Sequence, residues 1–109
     1  MEVINKHLKE LITACSACEV DKLYAFGSVL TKKFNAESDI DFIVSILSDD
    51  PIEYAEHYFE LKFELERIFR RKVDLLEQKA IRNKAFEDFV NKQKRLVYEK
   101  TSCDGILMG

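Results

Sequence analysis

The sequence predicts an α/β layer fold, in which helices pack against a small mixed sheet of three to four strands. Helical and strand periodicities alternate along the chain, and no stretch rich in Gly, Ser or Pro divides it. The 109 residues include 3 Gly and 1 Pro, with 47% hydrophobic and 34% charged residues, which is typical of a compact chain with much helix. We therefore expect one domain over residues 1–109, with its core at about 3–98 and a C-terminal tail over 99–109.

The predicted elements follow from the spacing of apolar residues. Steps of four and three, as from Ile4 to Leu8 and Leu11, trace one face of an amphipathic helix. Short runs of β-branched and aromatic residues indicate strands. In chain order the predicted elements are a helix over 2–18, a strand over 23–26, a turn or short helix over 28–34, a strand over 38–46, a helix over 51–70, a strand over 73–76, a helix over 82–93 and an edge strand over 96–98.

The helix predicted over 51–70 has a clear start and an excess of aromatic side chains. Asp50 suits the N-cap position, and Glu53 lies where it would complete a capping box. The stripe expected to face the core comprises Tyr54, Tyr58, Leu61, Leu65 and Ile68. Phe59, Phe63 and Phe69 lie beyond that stripe, so either the helix is buried on two sides or its outer face is an apolar surface for protein contact.

Composition excludes several classes of function. Seventeen Lys and Arg against 20 Asp and Glu give a formal net charge of −3, so direct nucleic-acid binding is not indicated. No apolar stretch reaches the roughly 18 residues of a membrane span, and the N-terminal residues lack a signal-peptide pattern, so we expect a cytoplasmic protein without membrane contact. Cys15 and Cys18 are expected to be buried apolar thiols rather than a redox pair or a zinc site.

Three aspartates are the first chemical signal. In a strand, Asp39 and Asp41 project from one face with Cα atoms about 6.6 Å apart. Carboxylates held side by side repel unless a cation lies between them, and Mg²⁺ prefers oxygen ligands. With Asp74 on the next predicted strand, three acids could hold two metal ions about 3.5–4 Å apart, as in phosphoryl transfer. The alternative is a solvated acidic strand edge that discourages aggregation.

Gly27 and Ser28 follow the first predicted strand and have the features of a phosphate contact. Glycine has no Cβ, so a phosphate can approach the backbone closely. Backbone N–H groups at the start of the following turn or short helix would face the anion, and the Ser28 hydroxyl can donate a further hydrogen bond. No G-x-x-x-x-G-K-[ST] pattern is present, which excludes a P-loop.

Together these residues resemble a known signature. Gly27-Ser28, followed after ten residues by Asp39-Ile40-Asp41, is similar to the G-S-x10-D-x-D pattern of the DNA polymerase β-like nucleotidyltransferase superfamily. Asp74 falls where that family carries its third acid, on the strand after a long helix. The resemblance extends over about residues 3–98. Because of its small size, the chain looks most like the minimal nucleotidyltransferases, often encoded beside a HEPN-domain protein as the antitoxin of a pair.

The resemblance implies a fold and a role for each of these residues. The fold would be the small nucleotidyltransferase-like mixed sheet with helices packed against it. Gly27 and Ser28 would contact the triphosphate of a nucleotide. Asp39 and Asp41 would bind two Mg²⁺ ions, and Asp74 would bind the catalytic ion and help to deprotonate the attacking hydroxyl.

One position departs from the family pattern. Many members have a basic residue directly after the Gly-Ser pair, whereas this chain has Val29. Lys32 and Lys33 are the nearest cations; they are either phosphate contacts or ordinary solvated lysines.

The implied activity is Mg²⁺-dependent transfer of a nucleoside monophosphate, AMP from ATP, to a hydroxyl acceptor. The expected acceptor is a partner protein such as a HEPN toxin, because the chain has no additional domain to present a hydroxyl. A homo-oligomer is the alternative partner. The alternative function is an antitoxin that neutralises its partner by contact and has a degenerate nucleotide site.

Overall fold

The computed structural model describes residues 2–100 and has the predicted order of helices and strands. The elements are α1 (Glu2–Lys6), α2 (Leu8–Ala17), β1 (Val20–Phe26), β2 (Ile40–Ile46), α3 (Pro51–Phe69), β3 (Val73–Glu77), α4 (Lys84–Gln93) and β4 (Arg95–Glu99), with short 3-10 helices at Gly27–Leu30 and Gln78–Ala80. Most of the predicted tail, residues 101–109, lies outside the described part. Within that part, no helix combines the length and the apolar character needed to cross a membrane.

The four strands form one mixed sheet in the order β3-β2-β1-β4. Strand β1 lies between two antiparallel neighbours, whereas β2 and β3 are parallel and are joined by the crossover helix α3. The predicted mixed sheet of three to four strands is therefore confirmed, with four. Its register sets Phe26 of β1 opposite Asp41 of β2, and Asp41 opposite Asp74 of β3.

The core lies on one face of the sheet, where α2 and α3 pack against β1, β2 and β3. Alternation along β2 directs Ile40, Phe42 and Val44 into this core, as predicted, and all three are fully buried. The opposite face carries α4, whose Val90 is also fully buried. The ring of Phe89 on α4 meets the ring of Phe26 edge to face, with centroids 6.2 Å apart. The two faces of the sheet are thus covered unequally.

Helix α3 begins where predicted, but its capping box does not form. The Asp50 side chain accepts a hydrogen bond of 2.9 Å from the Ile52 N–H, as an N-cap residue should. The Asp50 N–H donates to the Ser48 hydroxyl at 3.3 Å, so the donor that a capping-box Glu53 would need is already occupied. Glu53 instead accepts from the same Ser48 hydroxyl at 2.8 Å.

The single helix predicted over residues 2–18 is divided at His7. This residue has φ −114° and ψ 23°, which ends α1 before α2 starts. Its ring packs edge-on against Phe69 with centroids 5.5 Å apart, and its Nδ1 lies 2.9 Å from a carboxylate oxygen of Glu10. Tertiary contact with α3 therefore interrupts a pattern that is helical throughout in the sequence. Farther along, Cys15 and Cys18 are buried free thiols, as predicted.

Of the three additional aromatic residues of α3, one is buried in the core and two are exposed on its outer side. Phe69 is 5% exposed and belongs to the core, so its assignment to a second face was wrong. Phe59 and Phe63 are 65% and 70% exposed on the outer side of the helix. Within the described chain, α3 is therefore buried on one side, and its outer surface carries two exposed phenylalanines.

Substitution of these phenylalanines tests this arrangement, because Phe69 and Phe63 provide a matched pair on one helix. We expect Phe69→Ala to lower the free energy of unfolding by about 3–5 kcal/mol, since it leaves a cavity in the core. Phe63→Ala should change it by no more than about 0.5 kcal/mol, because the ring is solvated. Denaturant unfolding of both variants measures the difference, and equal losses would contradict the described packing of α3.

Candidate active site

Two aspartates meet on the face of the sheet opposite the main core. Asp41 on β2 and Asp74 on β3 are register partners in adjacent parallel strands, so their side chains project side by side. Their strand neighbours Phe42, Val73 and Leu75 face the core instead. The predicted juxtaposition of two of the three acids is therefore present in the structure.

Gly27 closes one side of this acidic pair. It follows Phe26, the register partner of Asp41 on β1, and has φ +81°, a conformation that favours glycine. A Cβ at this position would lie 2.6 Å from Oδ2 of Asp41, well inside van der Waals contact. Glycine is thus required here twice, once by the backbone conformation and once by the approach of the carboxylate.

The environment of Asp41 makes its charged form costly. Burial raises the pKa of the Asp41 carboxyl to about 6, and hydrogen bonding with Asp74 and the negative charges of Asp74 and Asp39 add to the effect. A hydrogen bond between two carboxyl groups requires that one of them carry a proton. Two charged carboxylates at this distance repel each other, and either a shared proton or a bound cation would reduce that repulsion.

Asp39 occupies a different position from the one the sequence predicted. It lies one residue before β2 and is exposed, so strand register does not fix its side chain beside Asp41. Among residues 2–100, no three His, Cys, Asp or Glu side chains are arranged to enclose a metal ion. The donor chemistry nevertheless fits Mg²⁺, because Asp41 and Asp74 present adjoining carboxylates and the charge of Asp39 is near enough to act on Asp41.

Ser28 lies in a tight turn rather than at the start of an α-helix. The segment Gly27–Leu30 is a 3-10 helix of four residues, so few peptide dipoles add up and their attraction for an anion is weak. The Ser28 carbonyl accepts hydrogen bonds of 2.9 Å from both the N–H and the hydroxyl of Thr31, which folds the turn back on itself.

The residues after Ser28 separate into a core residue and two surface cations. Val29 is 1% exposed and belongs to the core, so packing accounts for an apolar residue at this position. Lys32 and Lys33 lie exposed in the turn that follows, and the Lys33 N–H donates to the Thr31 hydroxyl at 3.2 Å. No ion pair within residues 2–100 joins either lysine to the acidic pair.

A cation that the sequence did not predict lies on the same face of the sheet. Lys94, which ends α4, lies 4.0 Å from the ring centroid of Tyr24 and 3.2 Å from the Gln78 side-chain oxygen. Tyr24 shares a face with Phe26, two residues along β1. Since Lys94 follows a strongly charged helix, no pattern in the sequence distinguishes it from solvated lysines.

The contact between Gly27 and Asp41 predicts the effect of Gly27→Ala. The new Cβ meets the carboxylate and imposes a strained φ, so we expect a loss of about 1–3 kcal/mol in the free energy of unfolding. In an Asp41→Ala background the same substitution should cost less, since only the backbone strain remains. Denaturant unfolding of the four proteins of this double-mutant cycle measures the coupling, and additive losses would contradict the described contact.

The raised pKa of Asp41 predicts two opposite pH dependences. Without metal, the folded protein holds this proton more tightly than the unfolded chain, so stability should fall as pH rises from 3.8 to about 6. Metal binding displaces the proton, so Mn²⁺ affinity should strengthen as pH rises through about 6. Thermal melts and electron paramagnetic resonance titrations measure both. Asp41→Asn should abolish the pH dependence of stability in this range. A wild type whose Mn²⁺ affinity did not change with pH would contradict the second prediction.

Two sequence comparisons identify relatives of this chain. It matches the family described as Polymerase beta, Nucleotidyltransferase over residues 7–102. It is also 35% identical, over 82 residues, to a Methanocaldococcus jannaschii protein provisionally named a protein adenylyltransferase. That alignment covers 75% of this chain and 78% of the relative.

Solved structures of low sequence identity share the fold. One described provisionally as a minimal nucleotidyltransferase has a TM-score of 0.67 at 19% identity, with 86% of this chain and 92% of that chain covered. A toxin–antitoxin structure with AMP-PNP has a TM-score of 0.64 at 21% identity, with 85% and 73% covered. A complex of tri-AMPylated Shewanella oneidensis HEPN toxin with MNT antitoxin gives 0.59 at 19%, with 88% and 72% covered. With its fold and most of its length matched, this chain belongs to the polymerase β nucleotidyltransferase family.

Proposed function

We propose that the chain is a single catalytic domain that transfers AMP from ATP to a hydroxyl group in the presence of Mg²⁺. The observation that carries this proposal is the Asp41–Asp74 pair, held side by side by parallel strands and closed on one side by Gly27. A protein gains nothing in stability from two carboxylates that share a proton on a half-buried face. Their arrangement is explained by a function that brings cations to them.

The three aspartates would hold the metal ions of the reaction. Asp41 and Asp74 provide two adjoining carboxylates, and Asp39, one residue before β2, would turn its exposed carboxylate towards them. When bound, two Mg²⁺ ions would neutralise charge that develops on the attacking and leaving oxygens. Gly27 has no side chain, so the Asp41 carboxylate can lie close to its backbone.

The turn after β1 would bind the triphosphate of the nucleotide. The Ser28 hydroxyl and the local backbone N–H groups are hydrogen-bond donors for phosphate oxygens. Lys32 and Lys33, both exposed in the same turn, would add positive charge near the phosphates. Val29 cannot take this part, because its side chain lies in the core.

The transfer itself requires one bond to form and one to break. The acceptor oxygen bonds to the α-phosphorus, while the bond from that phosphorus to the bridging oxygen of the β-phosphate breaks and pyrophosphate departs with the electron pair. Asp74 takes the hydroxyl proton as the oxygen attacks. The rate gain would come from alignment of the two reactants and from charge stabilisation by groups already in place.

ATP as donor and a protein as acceptor are supported by the relatives. The Methanocaldococcus jannaschii relative is named for protein adenylyltransfer, and one similar structure contains AMP-PNP. In another, an MNT antitoxin is in complex with an AMPylated HEPN toxin. We therefore propose a HEPN-type protein as the acceptor, in the cytoplasm, where ATP is present and Cys15 and Cys18 stay reduced.

A labelling experiment tests the proposed activity. With α-labelled ATP, Mg²⁺ and a candidate HEPN partner, wild type should transfer label to the partner, whereas Asp39→Asn with Asp41→Asn should not. Asp49→Asn is a matched control, because this exposed aspartate lies beyond the opposite end of β2. Release of labelled nucleotide without labelled partner would indicate hydrolysis instead, and label transfer by the double variant would exclude the aspartates as the site.

Nucleotide binding can be measured without an acceptor. Mg²⁺–ATP at a hundredfold excess over its dissociation constant should stabilise the wild type by about 2.7 kcal/mol, and the double aspartate variant should show no such gain. In the absence of ligand, that variant should be at least as stable as the wild type, since repulsion among the acids is relieved. A strongly destabilised variant would point to a structural role for the aspartates.

The exposed phenylalanines of α3 favour a second candidate function, neutralisation of a partner by contact. Phe59 and Phe63 lie on the outer side of the helix, away from the face that carries the acids. A helical HEPN-type protein could cover them, or a second copy of this chain. If Asp39→Asn with Asp41→Asn still neutralises the partner while Phe59→Ser with Phe63→Ser does not, neutralisation occurs by contact. The reverse result supports the transferase.

A further inference from the structure

The loop of residues 31–39 carries Asp39 but receives no support from the sheet ladder, because β2 starts at Ile40. Its second half is folded into a local turn. The Ser38 N–H donates to the Asn35 carbonyl at 3.1 Å, and the Asn35 N–H donates to the Ser38 hydroxyl at 3.1 Å. These bonds shape the turn. Phe34 packs against the core near the middle of the loop, Ile40 joins the sheet after its end, and a further contact lies between them.

That contact is made by Arg71, in the turn between α3 and β3. Its Nη1 donates hydrogen bonds to the Asn35 carbonyl at 3.0 Å and to the Ser38 carbonyl at 2.8 Å. The guanidinium also lies over the ring of Phe34, with its carbon 4.6 Å from the centroid. One side chain therefore holds the loop at three points, across more than thirty positions of sequence.

The side chain of Arg71 is half-buried, and its Nε lies out of contact with solvent. Within the described part of the chain, no hydrogen-bond partner faces this atom. A buried donor without a partner costs free energy that a solvated arginine would avoid. The two carbonyl bonds and the ring contact place the rest of the guanidinium against the loop.

The backbone is held on both sides of Asp39. On one side the Ser38 carbonyl accepts from Arg71, and on the other the Ile40 N–H donates to the Lys72 carbonyl at 3.2 Å. Residues 71 and 72 lead directly into β3, which carries Asp74. The same short turn therefore sets the place of Asp39 and the start of the strand that presents Asp74.

We propose that Arg71 is a positioning residue, which holds Asp39 where it can join Asp41 and Asp74 as a metal ligand. The inference rests on the proposed function, since it assigns the acids to metal binding. Arginine suits this role because its planar group presents several donors while it stacks on an aromatic ring. A lysine has a shorter reach and no planar face, so it would retain only part of the attachment.

The binding of Mn²⁺, followed by electron paramagnetic resonance, tests this role without need for a reaction. Arg71→Met should raise the dissociation constant for Mn²⁺ roughly tenfold, as loss of a supporting contact does at other metal sites. Arg71→Lys should give a smaller increase. The matched control is Arg67→Met, which removes an exposed arginine that bonds to Glu64 at 2.7 Å, and it should bind Mn²⁺ as the wild type does.

The outcomes separate this inference from the proposed function. If the wild type binds Mn²⁺ and Arg71→Met binds it equally well, the positioning role is overturned while the metal site stands. Equal weakening by Arg67→Met would also overturn it, because the effect would then be general destabilisation. If the wild type binds no Mn²⁺, the proposed function fails and the inference fails with it. Should Arg71→Met not fold, Arg71→Lys decides, since an affinity equal to the wild type would overturn the role.

Discussion

The repulsion between two carboxylates that the backbone holds together is the constraint on which the functional site depends. Parallel pairing of β2 and β3 sets Asp41 directly beside Asp74, and Gly27 approaches Asp41 so closely that no Cβ fits between them. Burial and the neighbouring charges raise the pKa of Asp41 to about 6. The fold thus stores an electrostatic cost at one position, and a cation relieves it.

The sheet separates the stability of the protein from its chemistry. One face packs against α2 and α3 and contains nearly all of the buried apolar residues, whereas the other carries the acids and has only partial cover from α4. Strand alternation achieves this separation, because Asp41 and Asp74 each lie between residues that face the core. Burial of the apolar core therefore offsets the electrostatic repulsion within the acidic pair, although the core lies on the other face of the sheet.

Two connecting segments beside the site, the turn after β1 and the loop before β2, are less regular than the strands. The Gly27–Leu30 turn directs Val29 into the core, which leaves exposed lysines as the cations nearest in sequence. The loop before β2 is attached by Arg71, whose bonds reach two carbonyls far away in sequence. In the proposed transfer an acceptor would approach the face with the acids, while Phe59 and Phe63 lie on the outer side of α3. Different surfaces are thus available for transfer and for contact.

Local patterns in the chain were sufficient for the type and order of the elements, for the core residues of β2 and for the pairing of Gly27 with the acids. These features depend on the periodicity of apolar residues and on the spacing of motifs, both of which can be recognised directly along the chain. Tertiary structure decided the rest. The break at His7, the burial of Phe69 and the occupied N–H at Asp50 all arise from contacts between segments or from competition for one donor. The place of Asp39 depends on Arg71, and no local pattern encodes a bond between residues so far apart in the chain.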